Sequence, residues 1–157
     1  MESNNHREII VKTTCGRGSK AIEYVQYIEL PKDVVADRVM GCTITNVVKP
    51  KALKWKVPEK SRYYVPVKGS FDMHAWYAFN NGHDTAVAMA SVVYHENIPM
   101  LERSGKPVGP VTASAEIDDA PEIADVTLEG NKIKVVALIK ISAAVVGDAR
   151  LMVEVVE

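Results

Sequence analysis

The sequence predicts an all-β fold, an antiparallel β-sandwich of jelly-roll-like type, and three observations lead to this class. Apolar and polar residues alternate with a period of two along most of the chain, as they do in half-buried strands. Valine and isoleucine are abundant, and β-branched side chains suit a pleated sheet. Glycine-containing two-residue turns, Asn81-Gly82 and Gly130-Asn131, join neighbouring segments of this kind into hairpins.

Length and composition set the organisation of the chain. Its 157 residues fit one domain, which we place at residues 7–157 after a flexible N-terminus of residues 1–6. Hydrophobic residues make up 47% and charged residues 25%, a globular composition. A net charge of −1 argues against a nucleic-acid partner. We find neither a signal peptide nor an apolar run of roughly 20 residues, and therefore expect cytosolic synthesis and no membrane span.

The first third of the chain divides into three strands. "REIIVKTT" predicts a strand, "CGRGS" a connecting turn, and "AIEYVQYIEL" a second strand with Ile22, Tyr24, Ile28 and Leu30 on its buried face. "PKDVVADRV" predicts a short helical turn, the only helix that we expect. "MGCTITNVV" then returns to strand-forming residues.

The hairpin around Asn81-Gly82 fixes a register. A type I′ turn at these residues places Ala78 opposite Thr85 and His74 opposite Met89. Large residues on one strand then face small residues on the other, as in a packed sandwich interior. This predicted inner face contains Phe71, Met73, Ala75, Tyr77, Phe79, Ala86, Ala88, Ala90 and Val92.

The opposite face of the same hairpin is amphipathic. It carries His74 and Trp76 against Val87 and Met89. Exposed apolar patches of this kind mark contact surfaces, so we interpret the face as a self-association surface. The alternative is that the basic loop Lys49 to Arg62 folds over it.

Two further hairpins are expected near the C-terminus. The Gly130-Asn131 turn pairs Leu128 with Ile133, and Glu129 with Lys132 on the other face. A three-residue loop, Val146 to Asp148, would then pair Ile141 with Val153.

The last strand, "RLMVEVVE", is short, mostly apolar and close to the terminus. Unprotected strands of this kind add readily to neighbouring sheets. Leu151, Val153 and Val155 therefore complete the predicted self-association interface.

The residues that carry chemistry do not form a site. His74 and His83 share a face but lie on the order of 20 Å apart along the sheet, too far for one metal ion. Ser70, Asp72 and His74 alternate on one strand at about 7 Å per step, beyond the reach of a hydrogen-bonded triad. We therefore predict no catalytic residue, metal or cofactor. Cys15 and Cys42 are either idle thiols or cross-links formed after assembly, and the sequence leaves both open.

Several segments together resemble one protein family. These are "REIIVKTTCGRGSK", "MGCTITN", "VKGSFDMHAWYAF", "VTLEGNKIKVV" and "AAVVGDARLMVEV". Their order and spacing are similar to those of the outer spore coat morphogenetic protein CotE family, with the Asp72 to Tyr77 run the most specific. The resemblance implies a non-enzymatic structural protein of endospore-forming bacteria. Such a protein would be made in the mother cell, self-associate into oligomers or filaments, and bind other spore coat proteins.

The resemblance also sets limits on that expectation. Family members typically continue into a strongly acidic C-terminal tail, which the sequence lacks after Glu157. We therefore expect the folded self-assembly domain rather than tail-dependent recruitment. The alternative function is a monomeric, carbohydrate-binding-like β-sandwich in which Trp76 or Trp55 stacks on the ligand.

Overall fold

A computed structural model of the chain describes residues 6–53, 64–100, 102–103 and 106–154, and the side chains of 9–53, 64–100 and 109–148. These residues form eight strands and no helix. The strands are β1 His6–Glu29, β2 Ala36–Ala52, β3 Tyr64–Phe79, β4 Asp84–Pro99, β5 Glu102–Arg103, β6 Lys106–Ile117, β7 Glu122–Glu129 and β8 Lys132–Glu154.

The strands build two antiparallel sheets. The three-stranded sheet is the meander β2-β3-β4. In the five-stranded sheet the order is β5-β1-β8-β6, and β7 also pairs with β8. Since β1 lies along one side of β8 from Glu154 to Lys132, β6 and β7 share its other side. The two sheets enclose a common core, and the predicted all-β sandwich is confirmed.

Both two-residue turns set the registers that the sequence predicted. His74 lies opposite Met89 in the β3–β4 hairpin, and Leu128 lies opposite Ile133 in the β7–β8 hairpin. Asn81 and Gly82 have the positive φ angles of a type I′ turn, 55° and 83°, and Asn80 before them also has a positive φ, 53°. Gly130 has a φ of 59°, and it occupies the first central position, where a type II′ turn needs glycine.

The predicted turn at "CGRGS" is wrong, because β1 runs through it without reversing. The chain makes only a bulge there, where the register with β8 shifts between Thr14 and Gly16. Gly18 permits a close approach between β1 and the end of β4 and does not form a turn. A Cβ at this position would lie 1.7 Å from the carbonyl oxygen of Pro99, so only glycine lets β1 pass the end of β4.

The predicted loop from Val146 to Asp148 is also wrong. β8 continues through it, and Ile141 pairs with Lys20 and Ile117 rather than with Val153. Inward-facing and outward-facing residues continue to alternate along this part of β8. Gly147 occupies an inward position, where a Cβ would lie 2.8 Å from Val111 Cγ1. The glycine therefore makes room for a neighbouring strand and does not end its own.

The expected helical turn is a simple turn at Lys32 and Asp33. Val34 N donates to the carbonyl of Pro31 at 3.0 Å, and β2 begins at Ala36. The Asn131 side chain stabilises this connection between β1 and β2. It donates hydrogen bonds to the carbonyl oxygens of Leu30 at 3.2 Å and Pro31 at 3.3 Å.

The core lies between the facing sides of the two sheets. The largest fully buried side chains come from both sheets: Phe71, Met73, Ile98, Ile133, Ile141, Val65, Val67, Val135 and Val145. The predicted inner face of the β3–β4 hairpin is confirmed, since its residues are either buried in the core cluster or partly buried and packed against it. The predicted buried face of "AIEYVQYIEL" also points to this core.

A polar contact ties the sheets together where β1 passes β4. The Glu96 carboxylate accepts hydrogen bonds of 2.9 Å from both Lys20 Nζ and Tyr24 Oη. Partial burial acts to raise the pKa of Glu96, but the bonds from Lys20 and Tyr24 outweigh it and hold this pKa below its usual value. Burial, followed by the bond to Glu96, raises the pKa of Tyr24. The contact therefore favours a charged Glu96 and a neutral Tyr24.

Candidate functional site

The most distinctive surface is the side of the three-stranded sheet that faces away from the core, which we call the hairpin face. It gathers the predicted residues as two cross-strand pairs, His74 with Met89 and Trp76 with Val87. Trp76 is 38% exposed and Met89 is 58% exposed. The sequence therefore located these four residues correctly on one side of one sheet.

The alternation of β3 explains this exposure. Met73 and Ala75 are fully buried and Tyr77 nearly so, and they fill the core from the central strand. The residues between them must point outward. Because the core closes without Trp76, Val87 or Met89, these side chains are exposed among the described residues. Most of the basic loop Lys49 to Arg62, the alternative cover for this face, lies outside the described residues.

Val93 extends the hairpin face along β4. It is 60% exposed and lies opposite Ser70. The sequence interpretation missed it, although its alternation with the buried residues Val92 and Tyr94 carried the signal.

An ordered carboxylate lies beside the apolar residues. Asp72 accepts hydrogen bonds from Asn46 Nδ2 at 2.8 Å and from Ser91 Oγ at 2.7 Å. The bond from Asn46, then that from Ser91 and the proximity of His74, lower the pKa of Asp72. Asn46 reaches it from a bulged part of β2, with a φ of 49°. The hairpin face thus carries one fixed negative charge.

β2, one of the two edge strands of this sheet, is poorly suited to strand addition. β2 changes register with β3 at four places, and bulges of this kind twist an edge strand out of alignment. Lysines at 49 and 51 flank Pro50 on this edge, and such residues also discourage pairing. The face, rather than the β2 edge, is the available contact surface.

The predicted terminal residues lie elsewhere. Leu151 and Val153 belong to β8 and pair with Ile9 and Arg7 of β1, so they are not in a separate short strand. On the other side of β8, pairing with β6 extends as far as Arg150 among the residues that the structure describes. Val155 lies outside the described residues, as does Trp55.

The residues considered for a catalytic triad do not form one in the described part of the chain. Asp72 bonds to Ser91 and Asn46, whereas Ser70 and His74 make no recorded bond to it. No three His, Cys, Asp or Glu side chains of the described residues gather as a metal site would require. Within the same residues, no helix has the length and hydropathy to span a membrane.

Both cysteines are free thiols. Cys15 is buried at the β1 bulge. Cys42 pairs with Ala75 and packs partly against the core, and burial raises the pKa of its thiol. Burial therefore shields Cys15, and the raised pKa makes Cys42 less reactive, since the thiolate is the reactive form.

Together, these features define a class: a β-sandwich with a complete core and a broad apolar outer face. The chain matches the family model described as outer spore coat protein E (CotE) over residues 5–157. It therefore belongs to the CotE family, and the family name makes it a spore coat morphogenetic protein located in the spore coat. No curated protein and no solved structure gives a significant match.

Proposed function

We propose that this protein is a structural, non-enzymatic coat subunit that self-associates through the hairpin face. The resulting oligomer or filament organises the outer layers of the spore. The subunit is made in the mother-cell cytoplasm and then joins the spore coat. Its partners are further copies of itself and other spore coat proteins, a role that its family supports.

The exposure of the hairpin face is the observation that carries this proposal. Full burial of a large apolar side chain contributes about 1.5–3 kcal/mol, and the face displays Trp76, Val87, Met89 and Val93 together. Two such faces in contact would hide both sets at once. Tryptophan is also among the residues that dominate binding at protein interfaces.

Asp72 would give such an interface its orientation. Its two bonds fix the carboxylate beside the apolar residues, and its lowered pKa keeps it charged. A fixed charge at the border of an apolar contact selects the partner's register more than it adds affinity.

The test replaces Trp76 and Met89 with lysine in one variant. We expect sedimentation velocity to show a shift from oligomers to small species, because four lysines would meet across each contact between two copies. The matched control is Val35→Lys, which adds charge at an 80% exposed valine outside the face. Unchanged sedimentation of the double variant, with far-UV circular dichroism confirming its fold, would refute the proposal.

The end of β8 contributes to the same proposal through Leu151, Val153 and Val155. Beyond Arg150 the backbone of β8 has a described partner only on its β1 side, so strand addition from another copy fits there. Deletion of Leu151 to Glu157 is expected to abolish ordered oligomers. Multimers that persist in a folded truncated protein would count against this contribution.

The second candidate, a monomeric carbohydrate-binding module, rests on the exposed Trp76. Small-ligand sites are usually concave, whereas Trp76 stands on the open side of a sheet among Val87 and Met89. Electron microscopy separates the two candidates, since a scaffold forms polymers or rings and the module remains monomeric. Heat released when disaccharides are titrated into the protein would support the carbohydrate-binding module.

A further inference from the structure

The outer side of the five-stranded sheet carries a second apolar patch, which we call the β1–β8 face. Its centre consists of Val25 and Tyr27 on β1 and of Val136 and Leu138 on β8, with Val25 directly opposite Val136. Tyr27 is 45% exposed and Leu138 is 40% exposed. This patch lies on the opposite side of the sandwich from the hairpin face.

Charges are sorted by strand around this centre. The outward residues of β1 include Glu23 and Glu29, while those of β8 include Lys132, Lys134 and Lys140. Between Ala21 and Glu29 on β1, and between Lys132 and Lys140 on β8, each strand therefore presents one sign of charge, with apolar residues between. Such an arrangement is complementary to a second copy of the same face, if that copy is oriented so that its β8 lies over β1 of the first and its β1 lies over β8 of the first.

The charges remain available for an outside partner. Lys132 meets Glu29 at 3.7 Å and Lys140 meets Asp118 at 3.9 Å, and the lysines of both pairs are about half exposed. Exposed pairs of this kind contribute little to stability. Among the described residues, Lys134 and Glu23 have no ion-pair partner within 4.0 Å.

We infer that the β1–β8 face binds the same face of a second copy. The two-fold axis lies between the sheets and parallel to the strands, so that β1 of each copy covers β8 of the other. Glu29 then faces Lys132 of the second copy, and Val25 faces Val136 of the second copy. Stacked sheets are about 10 Å apart, a separation that glutamate and lysine side chains bridge.

This inference rests on the proposed self-association and extends it. A subunit with one self-complementary face closes into a dimer, because a two-fold contact uses that face completely. A subunit with two such faces on opposite sides continues through alternating contacts. The two faces therefore specify a linear polymer with one sandwich per step and two kinds of interface.

The experiment uses complementary charge reversals in the Trp76→Lys/Met89→Lys background, where the hairpin face is disrupted and the β1–β8 face is left intact. That background is expected to form dimers. Adding E23K/E29K, or separately K132E/K134E, is expected to weaken dimerisation by about tenfold to a hundredfold, because like charges then meet across the interface. Mixing the two reversed variants restores opposite charges and is expected to return the dimer.

Control variants test whether the effect of the charge reversals is specific to the β1–β8 face. K51E/K68E makes the same change in net charge as K132E/K134E, but on the other sheet, and is expected to leave the dimer intact. Far-UV circular dichroism and thermal melting verify each fold. Dimers that persist in the separate charge-reversed variants would refute this interface. So would reversed variants that do not form a dimer when they are mixed. If the background variant instead remains as polymeric as the unaltered protein, the hairpin-face proposal fails separately.

Discussion

Replacement of Gly18 by alanine tests how closely β1 and β4 approach each other. The added Cβ would lie 1.7 Å from the Pro99 carbonyl oxygen, half of the 3.4 Å at which ordinary contact begins, and 2.8 Å from the Pro99 carbonyl carbon. Both obstacles are backbone atoms, so no side-chain rotation relieves the clash. β1 is held by its pairing with β8, and the end of β4 must therefore move.

The expected cost follows from this geometry. Overpacking a core typically costs about 1–3 kcal/mol, and a backbone obstacle places Gly18→Ala at the upper end, near ~3 kcal/mol. For a chain of this size, that corresponds to a decrease in Tm of roughly 6–12 °C. Thermal unfolding followed by circular dichroism, in the Trp76→Lys/Met89→Lys background and at one fixed protein concentration, measures the loss without interference from assembly through the hairpin face.

Gly41→Ala is the matched control. Gly41 also lies in a strand, but a Cβ there meets nothing within 4 Å. The free energy of unfolding of the Gly41→Ala variant should stay the same or rise by up to about 1 kcal/mol, since alanine has less conformational freedom to lose on folding. If Gly18→Ala unfolds at the same temperature as this control, the close approach of the strands is not a constraint on the fold.

Three further predictions concern the core, the contact between the sheets and the thiols. Met73→Ala should lower the free energy of unfolding by about 2–5 kcal/mol, because Met73 is fully buried; a loss below about 1 kcal/mol in urea unfolding would contradict this. Glu96 has a lowered pKa in the folded state, so its contribution is complete well above pH ~4.3 and is lost as the pH falls through the folded pKa. Glu96→Gln should cost about 1 kcal/mol at neutral pH and reduce this acid dependence, and equal slopes for both proteins in pH-dependent melting would count against it. A thiol reagent should modify Cys42 before Cys15, because Cys15 is the more deeply buried; the reverse order in mass spectrometry would contradict the placement.

Local chemistry explains why some registers were predictable from the sequence. At Asn81-Gly82 and Gly130-Asn131, residues that tolerate positive φ lie between alternating strands, and the turn alone sets the pairing. The same alternation identified which side chains of β3 and β4 face outward. For this reason the fold class and the hairpin face followed from the sequence.

Long-range packing explains why the rest was not predictable. Gly18 and Gly147 indicate turns when read locally, yet both make room for segments distant in the sequence, at Pro99 and Val111. Nothing near either glycine distinguishes a reversal from a close approach. The lengths of β1 and β8, and with them the β1–β8 face, therefore required the three-dimensional structure.

The pairing of β1 with β8 brings the two ends of the described chain side by side, since His6 lies opposite Glu154. A fluorescent label or displayed peptide fused at either end would consequently leave the domain from the same pole. The strands run parallel to the planes of both outer faces, so such a fusion projects from the side of a stack of subunits. The fold thus permits cargo to be added without covering the hairpin face or the β1–β8 face.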